Sequence, residues 1–454
     1  MRKIADTRNI NRKIWAVAVP IILQNLIDAA VNSADVLMLN YVGQSSISAV
    51  SLANSMIGVF FMFLYGIGTG IAMLSAQYYG KGDLKTIEKV EGIGLKFALS
   101  VALIGAAGAI FIPKTLMRIY TNDATLVEIG AKYLMYIAPG LIFWAISSVY
   151  MSILRCTGKV GVSTVLETVA LVCNVFLNAV FIFGLFGIPR LGVIGVALAT
   201  VISRFIQLTG CVVVSVFGHP PVRLTFSTLF KRYRVLESDF FRMALPAIAN
   251  DLAWAVGFSA YSGILGHLGD DAVAAYSINI VVRNLGTVMC FGIGSASGII
   301  VGQILGEGKR EEGIDAGHAC LRIAVISGIL GGLIVLALTP ATLNLVDLSE
   351  RSLDYLRFML LINAYYITGI AVNTTLIAGV FRAGGDSRFG FVCDLIDMWV
   401  YAVPVGLIAA FVLKLPVKWV YFLLCTDEFV KWPWVFRHFY GYGWARDITR
   451  DEIS

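Results

Sequence analysis

Stretches of about 20 mostly apolar residues fill most of this chain and restrict its fold more than any other feature. At a rise of about 1.5 Å per residue, a helix of that length crosses the hydrocarbon core of a bilayer. Of the 454 residues 58% are hydrophobic, more than one soluble core of this size could bury. We therefore predict an all-α integral membrane protein with twelve transmembrane helices, at residues 14–38, 51–78, 93–112, 131–154, 162–186, 193–216, 240–265, 276–305, 319–338, 355–381, 389–413 and 415–431.

The first half of the sequence repeats in the second half. At an offset of 226 residues Pro20 coincides with Pro246 and Gln77 with Gln303, without a gap between them. Matches at proline and glycine are hard to obtain from shared hydrophobicity alone. Six spans per half predict two lobes related by a pseudo-two-fold axis along the membrane normal. The predicted domains are an amino-terminal lobe at 1–217, a cytoplasmic linker at 218–238, and a carboxy-terminal lobe with a short cytoplasmic tail at 239–454.

Lysine and arginine are distributed unevenly between the two predicted sides of the membrane. One side holds about 22 of them, including Arg12, Lys85, Arg232 and Lys431, and the other about eight. The positive-inside rule then places both termini in the cytoplasm and predicts a multi-pass protein of the cell (inner or plasma) membrane. A net charge of +6 distributed in this way orients the protein and indicates no nucleic-acid partner.

Cysteine and histidine form no pattern typical of a reactive site. The seven cysteines lie in or beside predicted spans without CxxC spacing, and the four histidines are scattered. We therefore expect no metal site beyond a possible Na⁺ site, no cofactor and no enzymatic activity. A membrane-embedded transferase or protease would need such a constellation, and a receptor would more often carry a sizeable soluble domain.

A polar stripe runs along the first predicted span. Gln24, Asn25, Asp28, Asn32 and Asp35 follow one another at helical spacing and so share one face. An ionisable side chain at mid-bilayer costs roughly 3 kcal/mol, so these carboxylates must face protein, water or a ligand. The stripe suits binding of a proton or Na⁺. The alternative, for Asp28 as for Asp35, is a hydrogen-bonded aspartate that holds two helices together.

The fifth and sixth spans add a second polar group. Glu167, Asn174 and Asn178 are spaced by seven and four residues, again on one helical face, and the next span supplies Thr200. Amide and hydroxyl oxygens are suitable ligands for a small cation. Interhelical packing through hydrogen bonds is an equally good explanation of the same spacing.

Two aspartates lie one helical turn apart in the eleventh span. Asp394 and Asp397 are close in sequence to Arg382 and Arg388. This proximity favours ion pairs near the cytoplasmic end of the span over substrate binding.

Four other residues are unusual inside a span. Asp251 is an auxiliary candidate, and Arg283 requires a counter-charge such as Asp35 or a water-filled cavity. Pro20 and Pro246 each remove one backbone hydrogen bond from the first helix of a half, which permits a kink. Such a kink is either a gate or a static bend.

Three motifs combine these features: Ala-Val-Pro20 with Asp35 fifteen residues later, Asn174-Val-Phe-Leu-Asn178, and Gly192-Val-Ile-Gly195-Val-Ala-Leu-Ala-Thr200. Together they resemble the MATE family, the multidrug and toxic compound extrusion transporters, over nearly the whole chain. The resemblance implies a two-lobe exporter that exchanges Na⁺ or H⁺ for small organic, often cationic, substrates by alternating access. It also implies that Asp35 is the principal coupling residue, with Asn174, Asn178 and Thr200 completing the cation site.

Two positions depart from patterns found in parts of that family. Asn178 stands where some members have Asp, and Ala255 stands where another branch has Glu. The resemblance is therefore nearer to the DinF-like branch, and the coupling ion stays open between H⁺ and Na⁺. We expect a monomer in the lipid bilayer. The alternative function is a flippase for a lipid-linked oligosaccharide or peptidoglycan precursor, which predicts a strongly cationic cavity.

Overall fold

The computed structural model describes residues 2–39 and 44–451, except for the side chains of residues 2–8, 32–37, 39 and 44. All regular elements within these ranges are helical. They are α1 (Arg2–Leu39), α2 (Gln44–Lys81), α3 (Leu84–Phe111), α4 (Pro113–Arg118), α5 (Ala124–Cys156), α6 (Val160–Phe183), a 3₁₀ turn (Leu185–Gly187), α7 (Gly192–Phe217), α8 (Arg234–Gly266), α9 (Asp270–Gly306), α10 (Arg310–Leu345), α11 (Glu350–Asn373), α12 (Ser387–Ile396), α13 (Val403–Leu407), α14 (Val417–Leu424), α15 (Asp427–Val430) and α16 (Trp432–Tyr440).

The helices form two compact units. Ile14 and Ala18 of α1 are fully buried in the core of the carboxy-terminal unit, and a separate core around Leu134 of α5 lies in the amino-terminal unit. The predicted lobe boundaries at 217 and 239 stay predictions. The amino-terminal unit comprises Leu23–Tyr79, Asp83–Phe241 and Arg450–Ser454, and the carboxy-terminal unit comprises Met1–Ile22, Gly80–Gly82 and Arg242–Thr449.

Ten helical stretches of the described chain are long and apolar enough to cross a membrane, one of them the continuous stretch Ser387–Val412 that contains α12 and α13. The predicted seventh and twelfth spans are not among them. Helix α8 has the length, but Asn250 and Asp251 interrupt its apolar sequence. The twelfth predicted span, 415–431, is divided between α14 and α15, because the chain leaves the helix at Cys425 and Thr426.

Four prolines lie inside long helices of the described chain: Pro139 in α5, Pro340 in α10, and the two that the sequence predicted as sites of a kink. Pro20 is in α1 and Pro246 is in α8, and both helices continue through them. The role of either proline in gating stays a prediction.

Three stretches of the carboxy-terminal unit have wider, π-helical turns: Thr374–Phe381, Asp397–Ala402 and Ile408–Val412. The first continues directly from α11 and the second from α12. Such turns occur frequently at functional sites, since the extra residue in a turn displaces neighbouring side chains and backbone groups.

Backbone conformation accounts for glycines that match between the two halves. Gly82 and Gly308 have φ of 81° and 76°, and Gly158 and Gly385 both have φ of 78°. Glycine adopts this left-handed region without the steric cost that other residues meet, so the same turn in each half favours the same residue. The sequence repeat therefore corresponds to a repeat in backbone geometry.

Candidate functional site

A line of polar side chains joins α6 to α7 inside the amino-terminal unit. The Asn178 side-chain amide donates to Asn174 Oδ1 at 3.3 Å, and the Asn174 amide donates to Thr200 Oγ1 at 3.3 Å. Asn174 and Asn178 are buried. The structure thus brings together three of the four residues that the resemblance assigns to a cation site.

A charged group continues this line along the same two helices. Arg204 donates to Glu167 Oε1 at 3.1 Å and to Gln207 Oε1 at 3.0 Å, and the Gln207 side-chain amide donates to the other oxygen of Glu167. The guanidinium also lies 5.0 Å from the centre of the Trp144 ring. Glu167, predicted as an auxiliary residue, is therefore a buried carboxylate with a paired charge.

The residues on each helix are spaced by three, four or seven positions, so they share one face of that helix. Arg204 and Gln207 were not among the candidates predicted from the sequence. The signal that could have found them is an arginine inside an apolar span with a glutamine one turn later. We call the whole set the polar ladder: Glu167, Asn174, Asn178, Thr200, Arg204 and Gln207.

Helix α1 contributes Asp28 to the electrostatics of the same unit. This carboxylate is partly buried and interacts electrostatically with Glu167, Arg204 and Arg155. The side chains of Asn32 and Asp35 lie outside the described residues, so their predicted roles stay predictions.

Two arginines of the carboxy-terminal unit have partners that the sequence did not indicate. Arg382 donates to Asp251 Oδ1 at 2.8 Å, so the two charges of this pair balance each other. The guanidinium of Arg283 lies 5.1 Å from the centre of the Phe258 ring. An aromatic face therefore stabilises Arg283, whereas its predicted partner Asp35 has a side chain outside the described residues.

The predicted pairing of Asp394 and Asp397 with Arg382 or Arg388 is corrected by the structure. Lys431 lies 3.0 Å from Asp394 and 3.5 Å from Asp397. The sequence placed Lys431 with the basic residues of the cytoplasmic side, and the structure shows it buried, with 2% of it exposed. A lysine near the end of a predicted span is thus a buried counter-charge, because carboxylates on neighbouring elements lie around it.

Removing Arg204 should destabilise the amino-terminal unit, since it leaves the Glu167 carboxylate buried without its counter-charge. We expect Arg204→Gln to lower the free energy of unfolding in detergent by about 3 kcal/mol. The double variant Glu167→Gln/Arg204→Gln should recover much of that loss. Lys132→Gln, which breaks an exposed pair with Glu128 on α5, is the control and should unfold like the wild type. Equal losses in the single and double variants would contradict charge pairing.

A family model gives the first comparison with known proteins. The model, described as MatE, matches residues 20–180 and again residues 246–408. The two matched segments begin 226 residues apart, which is the offset of the sequence repeat. Both halves of the chain therefore carry the pattern of one family.

Individual relatives match over most of their lengths. The chain is 24% identical over 409 residues to the probable multidrug resistance protein YoeA of Bacillus subtilis, covering 88% of this chain and 87% of that protein. It is 23% identical over 404 residues to the probable multidrug resistance protein NorM of Thermotoga maritima, covering 89% and 86%. These similarities extend through both compact units.

A solved structure shows the same fold. It is described as a transporter of the MOP superfamily from Pyrococcus furiosus, and it superposes with a TM-score of 0.86 at 19% identity, covering 95% of this chain and 96% of that one. This match confirms the predicted fold class, twelve transmembrane helices in two lobes, whereas helix length and apolarity alone identify ten.

Proposed function

This chain belongs to the MatE family of membrane transporters, and from that premise we propose that it is a secondary antiporter. It exports small organic, often cationic, molecules in exchange for H⁺ or Na⁺ by alternating access. The observation that carries the proposal is the polar ladder. A paired carboxylate, two buried amides and a hydroxyl are costly inside a membrane protein and suit a site that exchanges an ion.

The coupling site combines the ladder with the acidic face of α1. Asn174, Asn178 and Thr200 supply neutral oxygens, and Asp35 supplies the charge that an ion neutralises. Linkage requires that ion and substrate bind with opposed preference, so that occupation by one expels the other. The predicted bends at Pro20 and Pro246 would let the helices respond to that exchange.

Aromatic side chains of the amino-terminal unit support an organic cation as the substrate. Phe61 and Trp144 stack with ring centres 4.9 Å apart, and Tyr65 stacks on Phe61 at 6.3 Å. Phe61 and Tyr65 are exposed. Aromatic faces attract cations, and Asp28 adds a carboxylate in the same unit. Relatives named as probable multidrug resistance proteins support the export of small organic molecules.

The arrangement in the cell follows from the same proposal. The lobes are 1–217 and 239–454, joined by a cytoplasmic linker, and the protein works as a monomer in the cell membrane with both termini inside. We also propose that the chain is nearer to the DinF-like branch, because Ala255 stands where another branch has Glu.

The test is transport of a fluorescent cationic dye by purified protein in proteoliposomes, with a pH gradient or a Na⁺ gradient imposed separately. We expect one gradient to drive dye movement, which also identifies the coupling ion. Movement under neither gradient would overturn the antiporter. The same liposomes should then be tested for movement of a lipid-linked oligosaccharide, the substrate class of a flippase.

Three basic residues with paired charges argue against that flippase. The partly buried Arg204 and the buried Arg382 and Lys431 each have a carboxylate partner within 4 Å. Arg283 is also buried, but its guanidinium lies over the Phe258 ring. A pyrophosphate site would need positive charge that is available to the ligand.

A further inference from the structure

Four buried carboxylates and one lysine meet in the carboxy-terminal unit, outside the polar ladder. The side chains of Asp394, Asp397 and Glu428 lie within 3.5 Å of Lys431 Nζ, and Asp427 interacts electrostatically with it. All four acids are buried. One lysine balances one carboxylate, so the group would hold three uncompensated negative charges if every acid were ionised. Burial of unpaired charge is costly, so each acid needs hydrogen-bond donors, a cation or a proton to stabilise it.

Hydrogen bonds identify the acids that are stabilised as carboxylates. Asp427 accepts from the hydroxyls of Tyr261 at 2.8 Å and Tyr366 at 3.3 Å, and from the backbone N–H of Glu428 at 2.7 Å. Glu428 Oε2 accepts from the Asn373 amide at 2.6 Å and lies 3.1 Å from Lys431 Nζ. Donors of this kind favour the charged form.

Asp397 has much weaker support as a carboxylate. Its Oδ2 lies 3.5 Å from Lys431 Nζ, beyond normal hydrogen-bond length, whereas Asp394 is at 3.0 Å. Its Oδ1 is buried and has no hydrogen-bond partner among the described residues, and the residue is 1% exposed. A protonated carboxyl is the form of Asp397 that this environment stabilises best.

Two further features belong to this group, one at Asn373, which contacts Glu428, and one at Asp397 itself. Asn373 is 3% exposed, and its Oδ1 is a second buried acceptor without a partner in the described part of the chain. Asn373 directly precedes the π-helical turn after α11, and Asp397 begins the one after α12. A buried acceptor without a hydrogen-bond partner and a π-helical turn are both suited to a site that binds a proton.

We propose that Asp397 is a proton-binding site of the carboxy-terminal unit, formed with Lys431, Asp394, Asp427 and Glu428. The proton is held on a carboxyl oxygen as an O–H, and it leaves as H⁺ with Asp397 becoming a carboxylate. No set of three or more His, Cys, Asp or Glu among the described residues has the geometry of a metal site, which favours a proton over a metal ion. A role in transport rests on the proposed antiporter, but proton binding does not.

The test is infrared spectroscopy of the purified protein with isotope-labelled aspartate, at neutral pH and in choline chloride. We expect the C=O band of a protonated aspartic acid, with one component lost in Asp397→Asn. Asp354→Asn, at an exposed ion pair with Lys418, should keep that component. A wild-type spectrum without the band, or an Asp397→Asn spectrum identical to it, would overturn the proposal.

Two further measurements distinguish a proton site from a Na⁺ site, and failure of the proton site from failure of the antiporter. Replacing choline with Na⁺ at the same pH should leave the band unchanged, and its loss would identify a Na⁺ site and overturn the proton site. In proteoliposomes the number of protons moved per dye should fall in Asp397→Asn. A wild type that shows the band but no exchange would retain the proton site and refute the antiporter.

Discussion

Proteoliposomes that carry Asp35→Asn should lose gradient-driven dye exchange by on the order of 10- to 100-fold. Asparagine keeps the size and hydrogen-bonding capacity of the side chain but cannot take up or release a charge. The neutral oxygens of Asn174, Asn178 and Thr200 would remain, so dye binding should persist while its dependence on the ion disappears. Dye binding and dye exchange should therefore be measured on the same preparation.

The matched control is Glu128→Gln, which removes an exposed carboxylate from α5 in the same unit. It should transport at the wild-type rate. Undiminished exchange by Asp35→Asn would remove Asp35 from the coupling role and direct attention to Asp28 and Glu167. Loss of exchange in both variants would indicate a general defect of the preparation.

Replacing Lys431 with methionine should have the largest effect on stability. The substitution retains much of the side-chain volume but removes the lysine that balances the buried acids Asp394, Asp397, Asp427 and Glu428. Loss of one partner from a buried ion pair costs about 3–5 kcal/mol. We expect that decrease in the free energy of unfolding, measured by thermal or denaturant unfolding in detergent.

A compensating variant distinguishes lost charge balance from lost packing. Lys431→Met/Asp394→Asn/Glu428→Gln removes two acids together with the lysine and should be more stable than Lys431→Met alone. Lys309→Met, at an exposed pair with Glu307, should unfold like the wild type. A triple variant no more stable than the single variant would show that packing dominates.

The sequence predicted the features that depend on local pattern. Long apolar stretches and a repeated set of glycines and prolines are properties of residues near one another, so the helical membrane fold and its two halves followed from them. The shared helical face of Asn174 and Asn178 was also predicted from the sequence, because residues four positions apart lie on one face of a helix.

Partners across helices could not be predicted in the same way. Lys431 is separated from Asp394 by 37 positions, whereas Arg388 is nearer in sequence but is not the partner found. Proximity in sequence therefore predicted the wrong cationic partner for Asp394. Arg204 was missed for a related reason. Its role is to pair with the Glu167 carboxylate, which lies on another helix.

The ionisable residues of the last predicted span also have a consequence for membrane insertion. Asp427, Glu428 and Lys431 lie within or directly after α15, and ionisable residues in a span oppose its transfer into lipid by about 2.5–3.5 kcal/mol each at the helix centre. Their partners Asn373 and Asp394 precede them in the chain and are synthesised earlier. We therefore expect membrane insertion of this segment to depend on the earlier helices that carry Asn373 and Asp394.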